Sequence, residues 1–294
     1  MLTVVSFALL ASLFFASSNV AVKIGLKNSN SISATFITLI INVIFLWVLS
    51  IFLVPFHVFT NKGIIFFAIG GIFAPCLGRI FFYTGIERVG VSIASPIKTT
   101  SPLFAAMIAV LILSEHFTMP IGIATILGIT GVMIFTSTST DNTPMTTMRW
   151  EKKDLIFPLI SAIFYGTSRI FRKMGIDIVN SSVCGATVAT TISLIFFAII
   201  LTLTGKRQRI VVDKKNFLFF SIGGIFGGIA QICIINALKW GEVIVVSPLS
   251  TPTQPLFVLL LTFLFLKKSK RITFRVLIGA IFIIVGVMLL TILS

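Results

Sequence analysis

Phe66-Phe67-Ala68-Ile69-Gly70-Gly71-Ile72-Phe73 recurs as Phe219-Phe220-Ser221-Ile222-Gly223-Gly224-Ile225-Phe226, seven identities in eight positions at an offset of 153. Chance matches of that length are rare even in apolar sequence, so the chain contains an internal duplication. The same offset relates Pro102-Leu103-Phe104 to Pro255-Leu256-Phe257, and neighbouring offsets relate Ser95-Pro96 to Ser247-Pro248 and Gly131-Val132-Met133 to Gly286-Val287-Met288. At an offset of 150, Phe7, Phe14, Ser18, Lys23 and Gly25 meet Phe157, Phe164, Ser168, Lys173 and Gly175.

The solvent of this duplicated unit is lipid. Of 294 residues 57% are hydrophobic and 11% charged, and the mean hydropathy is +1.13. A water-soluble domain of that composition would expose large apolar patches. Apolar runs long enough to span hydrocarbon lie near residues 3–22, 33–54, 63–85, 91–113, 119–136, 154–175, 182–203, 216–238, 243–266 and 274–293. The run from Leu2 to Val22 lacks the basic start and small-residue cleavage site of a signal peptide, and it has a partner in the second half. The longest connection is the Ser/Thr-rich, then charged, stretch Ser137 to Lys153, which contains Pro144. The expected organisation is a first repeat over residues 1–136, a linker over 137–153 and a second repeat over 154–294. Five spans per repeat is an odd number, so the second copy enters the membrane in the opposite sense. The expected fold is an all-α integral membrane protein of the cell membrane, with ten transmembrane helices as two inverted five-helix repeats. Such repeats place a binding site near the midplane and support alternating access.

Several function classes fall away. The net charge of +15 suggests nucleic acid, but sixteen of the 23 Lys and Arg lie in one alternating set of loops or, for Arg275, at the span end bordering it, a pattern of membrane orientation and anionic-lipid contact. There is no P-loop, no H-E-x-x-H, no paired-carboxylate motif and no G-x-S-x-G; His57 and His116 fall in loops, so no enzyme, metal or cofactor is expected. Cys76, Cys184 and Cys233 are isolated in apolar runs and read as packing residues. The expected partners are a small-molecule substrate and lipids; monomer and homodimer both stay open.

Candidate substrate-binding residues are those that are costly in lipid. All eight acidic residues fall in loops or at span ends, which disfavours a proton-coupled exporter of cations, because such a pump needs a buried acid. Arg79, Lys98 and Arg169 instead lie within spans, roughly 6–8 Å from the midplane at 1.5 Å per residue. A cation there costs about 2.5–3.5 kcal/mol on insertion scales, which favours an interior position facing an anionic group. Snorkelling to the interface is the alternative, and it is the better reading for Arg172 and Lys173 near their span end. The repeat counterparts of Arg79, Lys98 and Arg169 are Ile232, Thr251 and Asn19, so the charges do not belong to the duplicated scaffold. Asn19, Tyr83, Thr99, Tyr165, Gln231, Asn236 and Gln254 add recognition groups or interhelical glue. Pro96, Pro102, Pro248, Pro252 and Pro255 are candidate kinks or gates.

The two five-span units, the Gly-rich third and eighth spans, the Val91-Ser92-Ile93-Ala94-Ser95-Pro96 opening, Ser101-Pro102-Leu103-Phe104, Leu113-Ser114-Glu115 and Gly128-x-x-Gly131-Val132 together resemble the EamA type of the drug/metabolite transporter superfamily. The resemblance implies a central cavity lined mainly by spans 1, 3, 4, 6, 8 and 9, with spans 5 and 10 peripheral. The second half departs from the pattern, with Lys267-Lys268 where a counterpart of Glu115 would fall. The resemblance does not fix the substrate; taken with Arg79, Lys98 and Arg169, the expected function is alternating-access transport of a small metabolite bearing an anionic or zwitterionic group, such as an amino acid, organic acid or phosphorylated compound. A channel, or an export pump for hydrophobic or cationic compounds, is the alternative. On orientation the charge count and the resemblance differ: the positive-inside rule puts both termini outside, whereas the resemblance implies cytoplasmic termini.

Overall fold

A computed structural model describes residues 1–26, 29–136, 151–205, 210, 213–266 and 274–293; residues 137–150 of the expected linker and Lys267-Lys268 lie outside them. The described residues form helices α1 (Leu2–Gly25), α2 (Ser31–Leu53), α3 (Ile64–Gly71), α4 (Gly78–Val89), α5 (Val91–Thr99), α6 (Ser101–Ile108), α7 (Met119–Thr136), α8 (Ile156–Val179), α9 (Ser182–Leu203), α10 (Lys214–Trp240), α11 (Val243–Leu266) and α12 (Phe274–Leu293). α3 and α4 together make the third span and α5 and α6 the fourth, giving ten spans. Among the described residues nine segments are long and apolar enough to cross a membrane, and Met119–Ile134 is a shorter apolar tenth. Spans start where side chains serve the free N–H groups: Asn30 accepts from the Ser33 N–H at 2.9 Å before α2, and Ser181 from the Cys184 N–H at 3.3 Å before α9. The turn between α4 and α5 needs Gly90, at φ +81.

The two halves interlock crosswise, with α1 packed along α10 and α8 along α3 and α4. Equivalent residues make equivalent contacts. Ser18 donates to the Gly223 carbonyl at 2.7 Å, and its counterpart Ser168 donates to the Gly70 carbonyl, also at 2.7 Å. Phe14 stacks on Phe226 at 6.0 Å between centroids, and Phe164 meets Phe73 at 5.5 Å. Phe220 fits against Gly25 as Phe67 fits against Gly175, and both rings are fully buried. The pseudo-two-fold relation inferred from the duplicated octapeptide is therefore physical: each half completes the packing of the other.

The symmetry breaks at Ala74-Pro75. Ala74 leaves helical geometry (φ −149, ψ 134) inside a π-helical turn over Ile72–Leu77. Pro75 brings no N–H. The eighth span has Gly227-Gly228 at the equivalent positions and runs unbroken as α10. Carbonyls at the break take donors from the second half: Ser193 donates to Gly71 at 2.6 Å, Ser161 to Gly78 at 2.7 Å, and Arg172 to Ala74 at 2.9 Å. The candidate kink or gate prolines lie elsewhere. Pro96 lies inside α5, Pro102 starts α6 just after the interruption at Thr100, and α11 continues through Pro248, Pro252 and Pro255. The largest departure from helix is at a proline with no counterpart in the other repeat.

Packing is also unequal across the membrane. The main apolar core lies towards the side that carries the two termini and includes Val4, Ala8, Phe67, Ala109, Val179 and Val246; the opposite, basic side has only small clusters around Leu39 and Phe220. On the packed side Glu115, 8% exposed, accepts from the N–H groups of Val243 at 2.8 Å and Ile244 at 2.9 Å. A carboxylate there satisfies two of the free donors of α11 and complements its dipole, joining the first half to the second. Two to three turns further along α11, Ser12 donates to the Ser250 carbonyl at 2.6 Å and accepts from Thr253 at 2.8 Å.

A Cβ added at Gly71 collides with the Ala189 backbone, whereas one at Gly70 meets its nearest atom, the Ser168 carbonyl, at 3.3 Å. Gly71→Ala is therefore expected to lower the thermal unfolding midpoint in detergent far more than Gly70→Ala. Equal midpoints for the two variants would contradict the close helix crossing.

Candidate functional site

A cavity of about 610 Å³ opens among the helices of both repeats. Its lining runs from the middle of α8 and α10 to Lys23, Ile86, Thr136 and Phe263 near the helix ends on the basic side. The packed core described above closes the other end. Of the ten residues singled out in the sequence, Asn19, Arg79, Tyr83, Lys98, Thr99, Tyr165, Arg169, Gln231 and Gln254 line it and Asn236 does not. The second span also contributes, through Thr38 and Asn42, beyond the six spans expected. Of spans 5 and 10, only Thr136 reaches the lining.

α8 organises the charges. Tyr165, Arg169 and Arg172 are spaced four and three residues apart and so share one helical face. The Lys98 ammonium sits between aromatic rings, 4.4 Å from the centroid of Tyr165 and 4.5 Å from that of Phe82. Arg79 and Tyr165 line the same cavity. One turn further along α8, Arg169 donates to Ser250 at 3.0 Å and to Thr251 at 2.7 Å. Thr251 is the repeat counterpart of Lys98, so where the first half presents a cation the second presents a hydroxyl that supports one.

Arg172 does not snorkel. It is 6% exposed, donates to Gln231 and reaches the carbonyl released at Ala74. Distance along the span suggested an interfacial side chain; the break in the third span turns an acceptor towards it instead. Lys173 does lie near the packed end, bonded to Asp177 at 2.9 Å and to the Leu238 carbonyl at 3.0 Å. Its repeat counterpart Lys23 lines the open cavity. Arg172 and Lys23 were missed because each lies close to a span end; the shared face with Tyr165 and Arg169 was the available signal for Arg172.

Lys23, Arg79, Lys98, Arg169 and Arg172 thus give the lining five basic residues and, among the described residues, no acidic one. The partners described for Arg169 and Arg172 on α8 are neutral hydroxyl, amide and carbonyl groups. Two buried atoms on the lining, Arg172 Nε and Asn42 Oδ1, have no protein partner.

A profile described as the EamA-like transporter family matches residues 2–137 and again residues 152–292. An uncharacterized transporter of Archaeoglobus fulgidus is 23% identical over 287 residues, covering 96% of each chain. An uncharacterized transporter from the cobO 3' region of Sinorhizobium sp. is 27% identical over 135 residues, 46% of this chain and 93% of the relative. A solved structure described only as the crystal structure of a protein superposes with a TM-score of 0.79 at 14% identity, covering 98% of this chain and 96% of the other; that likeness concerns the fold.

Arg172→Ala leaves the Gln231 amide oxygen without its donor, at about 1–3 kcal/mol for a buried unsatisfied group, and leaves the Ala74 carbonyl with only the Ser168 hydroxyl at 3.3 Å. It should lower thermal stability in detergent even with no ligand present, and Arg172→Lys should recover part of the loss. An unfolding midpoint equal to the parent's would return Arg172 to the interface.

Proposed function

The chain belongs to the EamA-like transporter family and is a multi-pass membrane transporter, and from that premise we propose that it moves a small anionic metabolite by alternating access through the central cavity. The observation that carries this reading is the lining of five basic residues with no acid among the described residues. At an effective dielectric of about 20, opposite charges 4 Å apart attract by about 4 kcal/mol. An anion therefore gains what a cation of the same size loses. Guanidinium groups suit carboxylate and phosphate oxygens through paired N–H donors. Export of cationic drugs fits poorly, because the cavity supplies no carboxylate to exchange a proton for the cation.

Alternating access draws support from the inverted repeats and from the unequal closure of the two ends. The packed side, held by the Glu115 carboxylate on α11, is the counterpart of the open side, and Ser12 with Thr253 joins the two halves near mid-span. The same unit in the opposite sense offers a second packing of similar energy. A channel needs a continuous water path, which the packed core interrupts.

Lys98→Ala and Arg79→Ala should abolish uptake of an anionic solute into proteoliposomes while the purified proteins stay monodisperse; uptake at the parent rate in both variants would sink the cationic-cavity reading. In a background without the native cysteines, Ser12→Cys with Thr253→Cys places two thiols where the hydroxyls are 2.8 Å apart. Oxidation should stop transport, keep binding from the basic side, and be reversed by reductant. Undiminished transport in the cross-linked protein would favour a channel.

A further inference from the structure

Resting on the anionic reading of the cavity, we infer that the solute carries two or more negative charges and that the protein works as an obligatory exchanger: the cavity crosses the membrane loaded and does not return empty.

The inference starts from what neutralises the cations. Arg169 is held by the hydroxyls of Ser250 and Thr251, Arg172 by Gln231 and a carbonyl, and Lys98 by two ring faces. None of these partners removes net charge. The ion pairs formed among the described residues, Lys153 with Glu151 and Lys173 with Asp177, lie away from the cavity. In the present conformation the imbalance is tolerable because the lining reaches the basic-side helix ends, where water and mobile anions screen it.

Moving to the other conformation requires the basic side to close, which withdraws that screening. Several like charges would then share a water-poor cavity within the hydrocarbon region, where each unpaired cation is costly. One carboxylate on the solute offsets a single charge. A dicarboxylate or phosphate ester offsets two, and its several oxygens can engage Arg79, Lys98 and Arg169 together. The loaded cavity is therefore the form that closes, and the barrier to closing an empty one enforces exchange. Basic residues at the described helix ends strengthen entry: Arg88, Lys152, Lys153, Lys214, Lys215 and Arg275 lie on the open side, raising the local concentration of anions.

The test uses the full chain in proteoliposomes with the membrane potential clamped. Vesicles are loaded with potassium succinate, with glycerol 3-phosphate, or with potassium chloride alone, and initial uptake of radiolabelled succinate, inorganic phosphate, lactate and glutamine is measured. Uptake of at least one divalent anion should be tenfold or more faster into vesicles holding a divalent anion than into chloride vesicles, while lactate and glutamine move slowly under both conditions. The succinate and phosphate arms separate carboxylate from phosphate recognition. In Arg79→Gln/Arg169→Gln protein that remains monodisperse, the ratio of loaded to chloride rates should fall towards one. Equal rates into loaded and chloride vesicles would overturn exchange while leaving anion transport intact. Lactate or glutamine moving as fast as the divalent anions would overturn the charge class. Absence of thermal stabilisation by any of these anions, together with absence of uptake, would remove the anionic reading itself.

Discussion

In hydrocarbon a backbone carbonyl without a donor has no water to turn to, and leaving it bare costs several kcal/mol. The third span meets this constraint at Ala74-Pro75, where the helix opens and its carbonyls look elsewhere. They find Ser161, Ser168 and Arg172 on α8 and Ser193 on α9. Much of the site follows from that requirement. Holding α8 against the break fixes the face that carries Tyr165 and Arg169, and Tyr165 in turn forms one wall of the pocket around Lys98. The break also turns Arg172 from an interfacial side chain into a buried one.

The duplicated scaffold and the charges on it follow different rules. Paired contacts such as Ser18 with Gly223 and Ser168 with Gly70 are the same interaction made twice, and they set how the halves cross. Three of the cavity cations obey no such pairing: Arg79, Lys98 and Arg169 stand opposite Ile232, Thr251 and Asn19. Thr251 serves Arg169 directly. One half has become a support for a charge carried by the other, so the cavity is a joint product of both repeats although neither is charged in the same way.

What could be read in the sequence depended on whether the signal was local. Hydropathy marks spans because lipid acts on every residue alike, and the fifth span, read over 119–136, coincides with α7. Inversion followed from the odd number of spans per repeat. The cavity cations stood out because charge within a span is costly wherever it occurs. The break at Pro75 was not legible in the same way: hydropathy does not report backbone geometry, and comparison of the repeats gives no echo, since Gly228 stands at the equivalent position. Arg172 was misplaced for the same reason, its acceptor being created by that unseen break. The second span's share of the lining, through Thr38 and Asn42, also lay beyond reach, because which face of a helix meets a cavity is settled by its neighbours.

The donors that complete the third span come late in the chain. The ribosome delivers Ala74 and Pro75 to the bilayer some ninety residues before Ser161, Ser168 and Arg172 exist. During that interval the opened carbonyls have no partner from their eventual neighbours, and the half-made protein must shelter them in interfacial water or within the insertion machinery. Biogenesis of the first repeat is therefore finished by the second, and the order of synthesis leaves the cavity wall as one of the last parts to set.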